Sequence, residues 1–155
     1  METKWSLTHL YKTDEDWQID YALLSSKIEN LAKTITTCIE SKANFQKYLE
    51  EKIEVDMLIE KVYCYPRRHL DLDSTLELYK SMFDKALNLY GKIVELNAQF
   101  ENIVITNEDT VNDYLTSAEL HKYYRYISLI LRRKEHIVSD GAIQSAHDLQ
   151  EKQLK

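Results

Sequence analysis

The clearest hydrophobic pattern lies near the start of the chain, where apolar residues recur at alternating spacings of four and three. This spacing places them on one face of a helix and predicts α-helix over residues 14–36. Thr13 is suited to cap this helix, and Asp14, Glu15 and Asp16 put negative charge where the helix dipole favours it. The residues expected to face the core are Trp17, Tyr21, Leu24, Ile28, Leu31 and Ile35.

A second apolar pattern begins after Ser41, which can cap a second helix. We expect this helix to end at Pro66, because a proline disfavours helical dihedral angles in the residue before it, here Tyr65. The polar segment 67–73 is then predicted to be a connection. The expected inward face consists of Phe45, Tyr48, Val55, Ile59 and Val62.

Ser74 and Glu77 have the spacing of a capping box, in which each side chain binds a free backbone N–H at a helix start. They predict the beginning of a third helix. Gly91 inside it costs about 1 kcal/mol relative to alanine, too little to interrupt so regular a pattern. The predicted apolar face consists of Leu76, Tyr79, Phe83, Ala86, Tyr90, Ile93 and Phe100.

The last third of the chain predicts shorter elements. Residues 103–105 are apolar and can be extended or can close the third helix, and Thr106 or Asn107 can cap a short helix that ends near Leu115. A second capping box predicts another helix after it, and this box is formed by Thr116 and Glu119. That helix would carry Leu120, Tyr123, Tyr124, Ile127, Ile130 and Leu131.

A final helix after Ser139 has only a thin apolar face. Together these patterns predict an all-α fold: an antiparallel bundle of about five or six helices, forming a single domain over residues 1–155. The composition agrees, because two glycines and one proline cannot supply the turns of a β-sandwich or a glycine-rich nucleotide-binding fold.

Charge and targeting features narrow the class of partner. The net charge of −6 disfavours nucleic acid and anionic membranes as partners. We expect no secretory signal, because the first residues lack a basic start followed by an apolar run, and no apolar run in the sequence is long enough to cross a membrane. Cys38 and Cys64 fit buried thiols in a reducing compartment, so we expect a cytoplasmic protein.

Asp71, Asp73 and Thr75 match the Asp-x-Asp-x-Thr pattern of haloacid-dehalogenase phosphatases. In those enzymes the two aspartates follow a buried strand. The residues before Asp71 do not form such a strand, and no alternation of strands and helices surrounds them. A connection leading into a capped helix is the simpler interpretation.

The five histidines do not form a recognisable metal site. No pair has the i, i+3 or i+4 spacing, and the His-Glu-x-x-His motif does not occur. His69 with Asp71 and Asp73 can hold a cation in principle, but a solvated loop explains them better. We expect the histidines to lie on the surface or beside helix caps.

Aromatic and basic residues alternate in two places, at 63–68 and at 123–126. Such clusters can stack nucleic-acid bases, but the acidic net charge argues against that use. Contact with a peptide or with another protein segment is the better interpretation, because tyrosine and arginine are favoured in interfaces.

Three segments, taken in order, resemble oligoendopeptidase F and its relatives among the thimet-like zinc oligopeptidases. Residues 5–11 are similar to the family's Trp-x-Leu-x-x-Leu-Tyr opening. Residues 62–64, leading to 71–75, look like its Val-Tyr-Ala…Asp-Thr-Thr junction between two helices. Residues 124–139 are similar to its Tyr-Arg-x-Tyr…Lys-Pro-His-x-Leu-Ser segment, although Glu135 replaces the proline.

The resemblance implies a non-catalytic N-terminal helical domain that forms part of the wall of a cleft for short peptides. The zinc ligands would lie in a missing catalytic domain C-terminal to residue 155, so we expect no cofactor and no peptidase activity in this chain alone. Its expected partners are that catalytic domain, in cis or in trans, and short peptides. The alternative is a stand-alone helical protein-interaction module, and the sequence does not indicate an oligomeric state. Candidate contact residues are Tyr63, Arg67, Arg68, His69, Tyr124, Arg125 and His136.

Overall fold

A computed structural model of the chain describes residues 10–133. All regular elements within that range are helical, so the predicted all-α class is confirmed. The predicted helix after Ser139 lies outside the described residues. The described elements are α1 (Asp14–Thr34), a 3₁₀ turn (Ile35–Thr37), α2 (Lys42–Leu72), α3 (Glu77–Thr106), α4 (Glu108–Leu115), a second 3₁₀ turn (His121–Tyr123) and α5, described over 124–133.

Helix α1 follows its sequence prediction closely. The Thr13 hydroxyl accepts a hydrogen bond from the backbone N–H of Asp16 at 3.2 Å, as expected of an N-cap. All the predicted core residues are buried except Tyr21, which is partly exposed and stacks on Trp17 at 5.2 Å between ring centroids.

Helices α1 and α2 pack antiparallel. Lys27 pairs with Glu54 at 2.8 Å and Asp20 with Lys61 at 3.9 Å, so residue numbers rise along one helix as they fall along the other. Ser41 caps α2 as predicted, accepting from the backbone N–H three residues later at 3.1 Å. The predicted inward face of α2 is entirely buried.

The prediction that Pro66 ends α2 is wrong, because the helix continues to Leu72 and includes all but the last residue of the predicted connection. Proline has no N–H, so the carbonyl of Val62, four residues earlier, loses its helical donor. The indole Nε1 of Trp17 donates to that buried carbonyl at 2.8 Å. This bond, together with the burial of Tyr65 and Pro66, offsets the roughly 3 kcal/mol that an interior proline costs.

The turn between α2 and α3 does not use the predicted capping box of Ser74 and Glu77. One carboxylate oxygen of Asp73 instead accepts from the backbone N–H and the hydroxyl of Thr75, at 3.0 and 2.6 Å. These two hydrogen bonds, the hydroxyl's first, lower the pKa of Asp73. Helix α3 begins only at Glu77, after the carbonyl of Leu76 accepts the first helical hydrogen bond. The aspartate's local hydrogen bonds compete with a helix start at Ser74.

The buried face of α3 is turned relative to the predicted one. Tyr90 is 50% exposed and Phe83 is partly exposed, so neither is a core residue as predicted. Leu87, Tyr90 and Val94 form an exposed apolar surface, here called the α3 stripe. The face that is buried consists of Met82, Ala86, Leu89, Ile93, Leu96, Phe100 and Val104.

The last third of the described chain is only partly as predicted. Residues 103–105 close α3, and α4 ends at Leu115 as expected. The Asn107 side chain does not cap α4 but donates back to the carbonyl four residues earlier at 2.8 Å. The predicted start of the next helix at Thr116 is wrong, because regular α-helix begins only at residue 124. The Thr116 hydroxyl does not cap a helix but donates to a preceding carbonyl at 2.6 Å.

The contacts divide the chain into two compact units, Met1–Gln99 and Phe100–Lys155, and the division falls inside α3. The single domain expected over residues 1–155 stays a prediction. No helix in the described range is long and apolar enough to cross a membrane. The described core of the second unit consists of Phe100, Val104, Val111, Leu115, Leu120, Tyr123, Ile127 and Ile130.

Replacing Trp17 by phenylalanine keeps a ring but removes the donor to the Val62 carbonyl. We expect the free energy of unfolding to fall by about 2–4 kcal/mol, from the unsatisfied buried oxygen and the lost volume. In a Pro66→Ala background, the new backbone N–H can donate to Val62, so Trp17→Phe should cost about 1 kcal/mol less there. Urea denaturation of the four proteins measures both effects. Equal losses in the two backgrounds would contradict this account of α2.

Candidate functional site

The candidate contact residues that the structure describes lie on two helices. Tyr124 and Arg125 lie on α5, in the second unit, and His136 lies outside the described residues. The others lie on α2, in the first unit: Tyr63, Arg67, Arg68 and His69.

The structure brings Tyr63 and Arg67 together, one helical turn apart. The Arg67 guanidinium donates to the Tyr63 hydroxyl at 2.9 Å, and its central carbon lies 5.7 Å from the ring centroid. The Tyr63 ring also contacts Phe83 and Tyr90 of α3, at centroid distances of 5.2 and 6.1 Å. Arg67 is exposed and Arg68 is partly exposed, so this end of α2 presents positive charge beside an aromatic surface.

His69 is partly exposed and lies in the last turn of α2, where its carbonyl accepts from the backbone N–H of the C-cap Asp73, and its ring belongs to an aromatic cluster. Its ring stacks on Tyr79 at 3.8 Å and meets the edge of Tyr65 at 4.8 Å. The Oδ1 atom of Asp14 accepts hydrogen bonds from the hydroxyls of Tyr65 and Tyr79, at 2.7 and 3.0 Å. We call these four residues the Asp14 cluster. It joins the first turn of α1 to α2 and α3.

Burial governs the protonation states in this region. It lowers the pKa of His69, against the opposing effect of the Asp14 charge, and the buried Nε2 atom has no hydrogen-bond partner within the described residues. Burial, with the hydrogen bond to Asp14 as the next cause, raises the pKa of both Tyr65 and Tyr79. Neutral phenols and a neutral imidazole are therefore favoured. Such a cluster holds helices together through packed rings and hydrogen bonds to one carboxylate.

Tyr11, which precedes α1 in the chain, extends the same packing. Its hydroxyl donates to Asp20 at 2.8 Å and its ring meets the edge of Tyr65 at 5.3 Å, while the Lys61 ammonium lies 5.2 Å from the ring centroid. Burial, followed by the hydrogen bond and the charge of Asp20, raises the pKa of Tyr11. This hydroxyl therefore also remains a hydrogen-bond donor.

Neither cysteine is activated as a nucleophile. Burial raises the pKa of Cys38 to about 11. Burial and the charge of Glu60 raise the pKa of Cys64, against the smaller effects of Arg68 and Arg67. Both thiols therefore stay protonated near neutral pH, and neither forms a disulfide.

The second unit contains an open groove of about 620 Å³ between α4 and α5. Arg125 and Arg132 line it, and neither guanidinium has an ion-pair or hydrogen-bond partner within residues 10–133. The neighbouring Arg133 is different, because it pairs with Glu101 at 3.1 Å. We call this the arginine groove. Its lining residues are Glu108, Asn112, Tyr124, Arg125, Ser128, Leu129, Leu131 and Arg132.

The sequence interpretation missed two parts of these sites. Arg132 lies seven residues after Arg125 and hence on the same helix face, so this spacing was a signal that could have been used. Asp14 gave no comparable signal, because its partners Tyr65 and Tyr79 are 51 and 65 residues away in the chain.

The described residues do not fit a zinc ion or a phosphatase centre. No group of three or more His, Cys, Asp or Glu side chains within the described range is placed to hold a metal. Asp71 lies at the end of α2, while Asp73 and Thr75 lie in the turn that follows, so the Asp-x-Asp-x-Thr string does not follow a strand.

Replacing Asp14 by alanine leaves two tyrosine hydroxyls without their shared acceptor. We expect the free energy of unfolding to fall by about 2–4 kcal/mol, since hydrogen bonds to charged groups contribute about 1.5–3 kcal/mol each. Asp16→Ala is the matched control, because it removes an acidic side chain from the same first turn without breaking these bonds. Chemical denaturation that gave equal losses for both variants would rule out a special role for Asp14.

The lowered pKa of His69 gives a pH dependence with a definite sign. Folding favours the neutral ring, so this contribution is fully present above the ordinary pKa of about 6.5 and is lost as the pH falls below it. His69→Phe keeps a ring against Tyr79 and cannot titrate. The stability of the natural chain relative to this variant should therefore decrease from about pH 7.5 to pH 5 in urea titrations. His121→Phe controls for the loss of a histidine, and a constant difference for His69→Phe would contradict the assignment.

Comparison with known proteins identifies relatives of one kind. The chain is 27% identical over 140 residues to the group B oligopeptidase PepB of Streptococcus agalactiae, covering 89% of this chain and 23% of that protein. It is 25% identical over 138 residues to the plasmid oligoendopeptidase F of Lactococcus lactis subsp. cremoris, covering 87% and 23%. It is 25% identical over 141 residues to the oligopeptidase PepF of Bacillus subtilis, covering 90% and 21%.

No protein-family model matches the sequence, and no solved structure matches it significantly. The chain spans less than a quarter of the length of these three relatives. The alignments nevertheless cover 87–90% of this chain, and they confirm the resemblance seen in the sequence segments. The homologues of this chain are thus oligopeptidases of the oligoendopeptidase F and PepB type.

Proposed function

We propose that this chain forms a non-catalytic helical part of an oligoendopeptidase F-like zinc metallopeptidase, where it contributes to the wall of a cleft for short peptides. The observation that carries the proposal is the uneven coverage of the alignments. They include 87–90% of this chain but only 21–23% of each relative. The match is therefore to one region of a peptidase.

The sequence supports placing the chemistry outside these residues. The His-Glu-x-x-His motif, in which two histidines bind zinc and the glutamate activates water, does not occur in the 155 residues. We therefore assign no catalytic step to this chain. Its residues would bind and orient a peptide at the cleft wall, and among the described candidates Tyr124 and Arg125 line a groove.

The α3 stripe supplies a surface for the rest of such an enzyme. Leu87, Tyr90 and Val94 are 41–50% exposed and lie on one side of α3, whereas such residues are commonly buried. Gly91 lies on open space beside these residues, because an added Cβ there would meet nothing within 4 Å, and its lack of a side chain permits close approach of a partner backbone. We propose the catalytic domain, in cis or in trans, as the occupant, because most of each relative's length lies outside the aligned region.

The free thiols of Cys38 and Cys64 suit a reducing compartment, and we propose the cytoplasm as the location on that ground.

The α3 stripe would also suit a stand-alone helical module that binds another protein. That alternative does not account for the alignment with peptidases, so the peptidase role is the better-supported proposal.

The proposal predicts that the purified 155-residue chain, supplied with Zn²⁺, does not cleave an internally quenched fluorogenic peptide. The physical reason is that its sequence lacks the ligand set that would hold and activate a zinc-bound water. The Bacillus subtilis oligopeptidase PepF serves as the positive control for the assay. Cleavage that is abolished by a chelator and restored by Zn²⁺ would overturn the non-catalytic assignment.

A second measurement separates the peptidase role from the stand-alone module. Reading the coding DNA beyond residue 155 should reveal an in-frame His-Glu-x-x-His segment if the catalytic domain is supplied in cis. If it is supplied in trans, a separately encoded peptidase with that motif should co-purify with the chain, and Leu87→Glu should weaken its capture. The absence of both would leave the interaction module as the better proposal.

A further inference from the structure

We propose that the arginine groove binds the carboxylate groups of a short peptide, with Arg125 and Arg132 as the residues that pair with them. The inference rests on the proposed peptide-contacting role and names the ligand chemistry of that site. It begins from the state of the two guanidinium groups, which line the same groove and have no protein partner within the described part of the chain.

The charge distribution favours an anionic ligand. Residues 120–134 contain five lysines and arginines and no aspartate or glutamate, although the chain as a whole has a net charge of −6. Basic residues near the end of a helix often interact with its free carbonyls. That explanation does not apply to Arg125, which lies in the first turn of α5.

The spacing of the arginines fits a peptide. Seven residues of α-helix separate Arg125 from Arg132, so their backbones are roughly 10 Å apart on one face. An extended peptide covers that distance in about three residues. One short chain can therefore place a carboxylate at each guanidinium, and arginine binds carboxylates through paired N–H donors.

The other lining residues suit a peptide better than a small inorganic anion. Ser128 and Leu129 lie between the two arginines, and Leu129 and Tyr124 are 49% and 54% exposed. Asn112 on α4 offers an amide, which can bond to a peptide backbone. Glu108 on the same helix disfavours a further carboxylate on that side, so the acidic groups of the ligand should face α5.

The experiment measures binding of three fluorescent six-residue peptides to the full 155-residue chain by anisotropy at low salt. One has two glutamates three positions apart and an amidated C-terminus, and the second has glutamines and a free C-terminus. The third has glutamines and an amidated C-terminus, so it carries no carboxylate. We expect the first or the second to bind at least tenfold more tightly than the third, and their order tells whether side-chain or terminal carboxylates are preferred.

Arg125→Gln and Arg132→Gln should each weaken binding of the preferred peptide by roughly tenfold. Arg133→Gln is the matched control, because it removes a neighbouring charge that is already paired with Glu101. Circular dichroism verifies that every variant remains helical. Equal losses in all three variants, or equal binding of all three peptides, would overturn the proposal.

Tighter binding of a single-stranded oligonucleotide than of any carboxylate peptide would also overturn it. The failure of this proposal can be told apart from the failure of the proposed function, because binding to the chain requires no catalytic domain. Specific peptide binding without an associated zinc peptidase would support the groove and contradict the peptidase role. Co-purification of a zinc peptidase without specific peptide binding would support the peptidase role and contradict the proposed groove ligand.

Discussion

The fold of the first unit depends on one buried hydrogen bond, from the indole of Trp17 to the carbonyl of Val62. Pro66 deprives that carbonyl of its helical donor, and a buried carbonyl without a partner would cost about 1–3 kcal/mol. Since α1 supplies the missing donor, α2 passes through the proline and continues to Leu72. The same contact fixes how α1 lies along α2, because a hydrogen bond of 2.8 Å allows little sliding between helices.

The continuation of α2 has a direct consequence for the Asp14 cluster. If the helix had ended at Pro66, His69 would lie in a connecting segment rather than one turn after Tyr65, against Tyr79. Instead, both tyrosine hydroxyls reach the same carboxylate oxygen of Asp14, at 2.7 and 3.0 Å. Hydrogen bonds to a charged acceptor in a partly buried site are stronger than neutral ones. One side chain in the first turn of α1 thus orients two other helices.

Sequence patterns predicted the elements better than the contacts between them. The faces of α1 and α2 were predicted because each helix has one clear apolar stripe. Helix α3 has two, so periodicity could not show that Met82 rather than Phe83 is buried. The rule for Pro66 is local and takes no account of Trp17, and nothing near Asp14 in the sequence indicates its tyrosine partners. The pairing of Tyr63 with Arg67 is predictable from the sequence, because it depends only on helical spacing.

Whether a polar group is already paired within the fold separates structural groups from candidate functional ones. The polar groups of the Asp14 cluster are largely used by the fold, since its carboxylate and both phenols are bonded to each other. Arg133 is used in the same way by Glu101. Neither Arg125 nor Arg132 is paired in this way within the described residues. Charges that the fold leaves unpaired at a concave surface remain available to a ligand, whereas charges that hold helices together cannot bind one without loosening the fold. This is why the candidate site is better placed at the arginine groove than at the aromatic end of α2.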